Sequence, residues 1–191
     1  MFIAIVIGIV VLVAIAKKAD FTIEPGNRRA GRRGEVVATN AIRSVLRDDD
    51  QLFTNVEISF DGRPAELDNV VVNHYGVFII EVKNYKGRLR GGEDDYEWIK
   101  RKVDGYGNVF VKNVKNPIKQ VKRQVYILAK YLEYYGCRVW VEGYVLLVRG
   151  NSPVQSDVIL SSVADIDRVI HTPGRNRLTQ QQVDAIVKCI Q

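Results

Sequence analysis

Three side chains suited to hydrolytic chemistry stand on two short apolar runs. Glu66 to Asn73 reads Glu-Leu-Asp-Asn, three valines and Asn; Gly76 to Lys83 reads Gly-Val-Phe-Ile-Ile-Glu-Val-Lys, with His74-Tyr75 between the two runs. Runs of this length and β-branched content, joined by a short loop, predict a β-hairpin. Period-two alternation assigns Glu66, Asp68, Val70 and Val72 to one face of the first strand, and Val77, Ile79, Glu81 and Lys83 to one face of the second. With His74-Tyr75 as the loop, Asp68 opposes Glu81 and Glu66 opposes Lys83. Carboxylates so opposed lie about 5 Å apart and repel, and apolar neighbours that exclude water make the repulsion costlier. A divalent cation removes the conflict, since Mg²⁺ takes one or two carboxylates together with waters and phosphate oxygens. The plainer alternative is a cross-strand salt-bridge network closed by Lys83. On the metal reading, replacing either Asp68 or Glu81 by its amide is expected to relieve strain in the metal-free protein.

Other elements must position this hairpin. From Arg28 to Leu46 the spacing of Val37, Ala41 and Val45, widened by Ile42 and Leu46, predicts an amphipathic helix, and the acidic Asp48-Asp49-Asp50 ends it. Leu52 to Phe60 alternates as a strand and leads to the turn Asp61-Gly62-Arg63-Pro64. Tyr96 to Lys100 and Val109 to Val111 read as a second hairpin around Asp104 to Asn108. Gly105-x-Gly107 is a turn there rather than a nucleotide loop, because it lacks the strand-to-helix setting and the third glycine. No Walker-type lysine motif is present. Asn116 then caps a helix with Pro117 in its first turn, Ile118, Val121, Val125, Leu128 and Leu132 form its buried stripe, and Gly136 stops it. Strands at Val139 to Val148 and Val158 to Leu160, and helices at Ser162 to Ile170 and Thr179 to Ile190, complete an expected α/β core, the last helix opening with a Thr179-x-x-Gln182 capping box.

Composition narrows the classes further. The chain has 191 residues with 47% hydrophobic and 26% charged, which excludes wholesale disorder and fits one packed domain. Two cysteines, Cys137 and Cys189, and two histidines, His74 and His171, are too few for a Cys/His zinc site; the cysteines read as small packed residues that suit a reducing compartment. Of the net charge of +6, the segment up to Arg33 carries six basic against two acidic residues, or +4. That excess follows Phe2 to Ala16, an unbroken apolar run short of the usual 20 residues but feasible as a span with snorkelling Lys17 and Lys18. A cleaved signal peptide is the alternative, yet the basic residues follow the run instead of preceding it. The reading is an uncleaved single-pass anchor, residues 1–19, with the N-terminus outside and the domain cytoplasmic by the positive-inside rule. A basic juxtamembrane linker, residues 20–30, and a domain over 31–191 follow.

The ordered motifs resemble the nuclease-related domain (NERD) family, a branch of the PD-(D/E)xK nuclease-like fold. The resemblance rests on Glu66-Leu67-Asp68 before the valine run, on Gly76 to Lys83, on Gly34-Glu35, and on Asn116-Pro117-Ile118-Lys119-Gln120, in that family's order, and covers roughly Gly31 to Tyr131. Asp68 has no preceding proline, a departure that leaves the carboxylate in place. The resemblance implies a restriction-endonuclease-like core, a mixed central sheet flanked by helices. It implies that Asp68, Glu81 and the carbonyl of Val82 bind Mg²⁺ or Mn²⁺, that Lys83 orients or deprotonates the attacking water, and that Glu35 and Gln120 complete the cluster. The implied activity is phosphodiester hydrolysis of nucleic acid, DNA before RNA; the competing class is a non-catalytic nucleic-acid-binding or assembly module on a degenerate nuclease fold. Lys115, Lys119, Lys122 and Arg123, clustered at helical spacing, with Lys100, Arg101, Lys102 and Lys112, are candidate phosphate contacts, and Trp98 or Tyr106 could stack on a base. Their alternative is a solvated basic face.

Overall fold

The computed structural model describes residues 26–175 and 177–191, with side chains from Gly34 onward. The apolar run Phe2 to Ala16 and the expected anchor lie outside the described residues. Among the described residues no helix is long and apolar enough to cross a membrane. The order is α1 (Gly26–Arg43), β1 (Gln51–Phe60), β2 (Arg63–Asn73), β3 (Gly76–Lys83), β4 (Arg88–Arg90), β5 (Glu97–Val103), β6 (Val109–Lys115), α2 (Pro117–Tyr134), β7 (Val141–Leu147), β8 (Ile159–Leu160), α3 (Val163–His171) and α4 (Gln180–Ile190). The helix expected from Arg28 already starts at Gly26, so residues 26–30, read as linker, are helical.

A five-stranded mixed sheet runs in the order β1-β2-β3-β7-β8. Its β1, β2 and β3 are antiparallel, whereas β7 and β8 pair in parallel. One face is covered by α2 and α4, where Leu67, Val70, Val72, Val77 and Ile79 pack with Ile118, Leu128, Val183 and Ile186. The opposite face is covered by α1 and α3, where Val71, Phe78 and Ile80 pack with Ala38, Ile42, Ile166 and Ile170. Sheet strands buried on both faces read as near-continuous apolar runs, which explains the sequence of β3. A second sheet, β4-β5-β6, packs through Leu89 and Trp98 into the α2 side of the core.

Two glycines set how close the helices come. A Cβ at Gly34 would lie 2.7 Å from Cβ of Asn84, so α1 rests directly on the chain leaving β3. This contact centres the buried face of α1 on Gly34, Ala38 and Ile42. The expected stripe through Val37 is therefore corrected: Val37 is 58% exposed, about 100° per residue away from that face. A Cβ at Gly143 of β7 would lie 2.4 Å from Cγ2 of Val125, which brings α2 equally close to the other face.

The hairpin register is as expected at its turn, with Val70 opposite Ile79 and Asn73 opposite Gly76. Its face assignment is not. Phe53 and Val56 of β1 both face the α2 layer, as do Leu67 and Val70 of β2, so the pleat changes phase in both strands at Asn55 and Asp68. Asn55 has a left-handed φ of 53° and no ladder partner, while the pairs on either side, Thr54 with Asn69 and Val56 with Leu67, keep one register. Glu66 consequently does not share a face with Val70 and Val72; it is exposed. Both histidines serve the frame, His74 through its Nδ1, 3.0 Å from the Leu178 carbonyl oxygen. The ring nitrogens of His171 lie 2.8 Å from Asp50 Oδ2 and 2.6 Å from Asp167 Oδ1, and Asn73 donates to Asp50 Oδ1 at 2.8 Å, which ties the hairpin turn to α3.

Candidate active site

Glu81 is fully buried near the end of β3. A carboxylate there needs donors for both oxygens, and α2 supplies them. Gln120 Nε2 donates to Oε1 at 2.6 Å, Gln124 Nε2 donates to Oε2 at 2.7 Å, and Lys83 Nζ also bonds Oε1. Gln124 sits one turn beyond Gln120, is buried, and was not singled out from the sequence; the i, i+4 repeat of glutamine is the signal that could have found it. Its Nε2 further donates to the carbonyl of Glu66 at 2.8 Å, while its Oε1 has no partner among the described residues.

Asp68 occupies the phase change, where β2 and β3 part beyond the Val70–Ile79 pair. Its Oδ2 accepts from the backbone N–H of Val82 at 2.8 Å. An extended residue directs its N–H and C=O to the same side, so the Val82 carbonyl faces the β2 edge as well. On its other side Asp68 lines a cleft of about 290 Å³ with Glu35, Thr39, Asn40 and Arg43 of α1 and with Asn55 of β1. Glu35 is thus brought to the rim beside Asp68 by the Gly34–Asn84 contact, while Gln120 lies in the layer of Glu81.

The electrostatics follow from this packing. Burial, then the charge of Glu81, pushes the Asp68 carboxyl up to about 7, against the opposing pull of the Val82 N–H and Lys83. Glu35 adds a smaller push in the same direction. For Lys83, burial pulls the ammonium down, but the charge and hydrogen bond of Glu81 outweigh it and leave its proton held more tightly than usual. Lys83 is therefore a counter-ion to Glu81 in the metal-free protein. Among the described residues no three Asp, Glu, His or Cys side chains gather closely enough to hold a metal by themselves. The oxygens nearby are hard: the carboxyl groups of Asp68, which makes no further hydrogen bond among the described residues, and of Glu81, with the neutral backbone carbonyl of Val82. Such a set suits Mg²⁺ or Mn²⁺ completed by water or phosphate oxygens.

The basic residues divide into two groups. On α2, Lys119 pairs with Asp94 at 3.0 Å, Lys122 with Glu93 at 3.3 Å, and Arg123 donates to the carbonyl of Pro64 at 3.0 Å. On the β5–β6 ribbon, Lys100 stands opposite Lys112 and Lys102 opposite Phe110, all on one face, with Lys115 exposed at the end of β6. Lys100 Nζ lies 5.7 Å over the ring of Tyr85, a residue not singled out from the sequence, whose hydroxyl senses the charges of Lys83 and Glu81. The ribbon's cationic face therefore borders the acidic site. Trp98 cannot stack on a base: it is fully buried and its Nε1 donates to the Gly92 carbonyl at 2.8 Å, whereas Tyr106 is 94% exposed.

The fold and site define a mixed α/β domain whose central strands part around a buried carboxylate pair and a lysine. The family model described as nuclease-related domain matches residues 30–148, more than half of the chain, and the chain belongs to that family. It is also similar to an uncharacterized protein of Bacillus anthracis, 29% identical over 90 residues, which covers 45% of this chain and 42% of that protein. No solved structure matches.

The two carboxylates respond oppositely to neutralisation. The folded-state proton affinity of Asp68 exceeds that of an unfolded carboxylate near 4, so its contribution to stability is fully present below about pH 4 and lost as pH rises through about 7. With chelator present, Asp68→Asn should raise stability by roughly 1–3 kcal/mol at pH 8 and by little at pH 4.5. Glu81→Gln should lower it by ~3 kcal/mol, because it strands the Lys83 charge and sets an amide against amide donors. Urea titrations at the two pH values measure both; equal stabilisation by the two variants would refute this assignment.

Proposed function

We propose that the chain is a metal-dependent phosphodiesterase of PD-(D/E)xK type acting on nucleic acid, with DNA as the first expectation and RNA as the second. The observation that carries this reading is Asp68: a half-buried carboxyl, pushed up to about 7 by burial and Glu81, open to a cleft and next to a backbone edge. Asp68, Glu81 and the Val82 carbonyl would hold Mg²⁺ or Mn²⁺. When bound, the metal supplies an acidified water and neutralises charge on the scissile phosphate. Lys83, whose ammonium is already held at the site by Glu81, orients that water or a phosphate oxygen. Gln120 and Gln124 fix the rotamer of Glu81, and Glu35 bounds the cleft. The ribbon residues Lys100, Lys102, Lys112 and Lys115 are the favoured phosphate contacts, with Tyr106 free to stack. Lys119, Lys122 and Arg123 must first release their present partners.

A second reading is favoured by one observation, that both oxygens of Glu81 already have protein donors. On it the fold is a non-catalytic nucleic-acid-binding or assembly module. The deciding assay uses the full chain in detergent, on single- and double-stranded DNA and on RNA, with Mg²⁺, Mn²⁺ or chelator. Cleavage should require the metal and fall at least ~100-fold in Asp68→Asn and in Lys83→Ala, with metal binding kept in the lysine variant. Binding without cleavage in every condition supports the second reading and overturns the first, and metal-independent cleavage overturns both.

We also propose that the N-terminal run anchors the chain with its N-terminus outside and the domain in the cytoplasm. The support is the apolar length of Phe2 to Ala16 and the six basic residues that follow it. Protease added outside intact cells should spare the domain; its digestion there would reverse the orientation.

A further inference from the structure

Cys137 and Cys189, 52 residues apart in sequence, end side by side. Cys137 follows the C-terminus of α2, where Gly136 takes a φ of 81°, its N–H donates to the Glu133 carbonyl at 3.0 Å, and the Cys137 N–H donates to the Leu132 carbonyl at 2.8 Å. These two bonds are the pair that defines a Schellman cap, so the backbone at Cys137 is fixed. Cys189 lies in the last turn of α4, and its carbonyl accepts from the Tyr131 hydroxyl at 3.0 Å. The helix that carries the cap thus also grips the backbone of the second cysteine. The two Sγ atoms are 3.7 Å apart, and both residues are half-buried.

We propose that Cys137 and Cys189 are a dithiol–disulfide pair, a redox modification site that ties α4 to the end of α2. A disulfide bond is about 2.05 Å long, so the sulfurs must approach by roughly 1.7 Å, within reach of modest side-chain torsions once both backbones are placed. A cleft of about 330 Å³ lined by Cys137, Arg138, Leu178, Gln182 and Ile186 gives an oxidant access. The oxidant class is a small disulfide such as glutathione disulfide. One cysteine thiolate attacks a sulfur of that disulfide, forming a mixed disulfide and releasing one glutathione thiolate. The second cysteine thiolate then attacks the protein sulfur of the mixed disulfide and expels the other glutathione. Two protein thiols are oxidised, one glutathione disulfide is reduced to two thiols, and the two cysteine protons pass to them through solvent. The new bond closes a long loop between the outer helices of the α2 and α4 layer, away from the acidic site, so its effect falls on stability.

The test incubates the full chain in detergent with glutathione disulfide, blocks remaining thiols with a maleimide, and maps peptides without reduction. The expected result is loss of both reactive thiols, one intrachain peptide pair joining Cys137 to Cys189, and a rise in Tm on the order of 5–10 °C that excess reduced glutathione reverses. Cys137→Ser and Cys189→Ser should show neither the peptide pair nor the rise. Thiols that stay reactive, mixed disulfides that do not resolve, or links formed only between chains would overturn the proposal. The wild-type peptide map decides it even where a serine variant fails to fold.

Discussion

Glu81 carries a carboxylate into the interior near the end of a strand that is apolar up to that point, and much of the architecture around the site compensates that one charge. Lys83, two residues on, supplies the counter-charge; Gln120 and Gln124 supply the remaining donors from α2. Breaking such a cluster from one side costs several kcal/mol, because it leaves the partner buried and unpaired. This requirement explains why α2 must sit close enough for two successive turns to reach the strand, and hence why β7 carries Gly143 where a Cβ would strike Val125. It also explains the capped start of α2. Asn116, itself buried, accepts from the Ile118 N–H and donates to carbonyls of residues 93 and 95, which pins the first turn just ahead of Gln120.

Asp68 is the complement of that satisfied charge. It lies beyond the last β2–β3 pair, accepts one backbone N–H, and lines the cleft under α1. The site therefore holds one carboxylate neutralised by the protein and a second that resists ionisation beside it. On the proposed reading, a bound cation would offset the repulsion between Asp68 and Glu81 without any new negative group. The cationic ribbon bordering the site through Tyr85 and Lys100 suits a polyanion approaching the same edge.

Much of the frame was legible in the sequence because it rests on local rules. Turn residues and β-branched runs marked β1, β2 and β3; Asn116-Pro117 and Thr179-x-x-Gln182 marked two helix starts; His74-Tyr75 set the register at the hairpin turn. The sequence failed where a contact between distant segments decides the outcome. Alternation alone placed Asp68 with Val70, and only the left-handed Asn55 on the neighbouring strand reveals the phase change. The α1 stripe was misplaced onto Val37 because the approach of Gly34 to Asn84 is tertiary. Trp98 looked available for stacking because aromatic type does not report burial, and the 3.7 Å approach of Cys137 to Cys189 has no local signature. Gln124, by contrast, was readable as the i+4 partner of Gln120.

NMR titration of the Asp68 side-chain carboxyl carbon, first with chelator and then with Mg²⁺, tests most directly whether burial and Glu81 hold this carboxyl near neutrality and whether a cation would relieve it. The account predicts a midpoint near 7 without metal and a clear shift to lower pH with Mg²⁺. An ordinary carboxylate midpoint near 4 that Mg²⁺ does not move would contradict it.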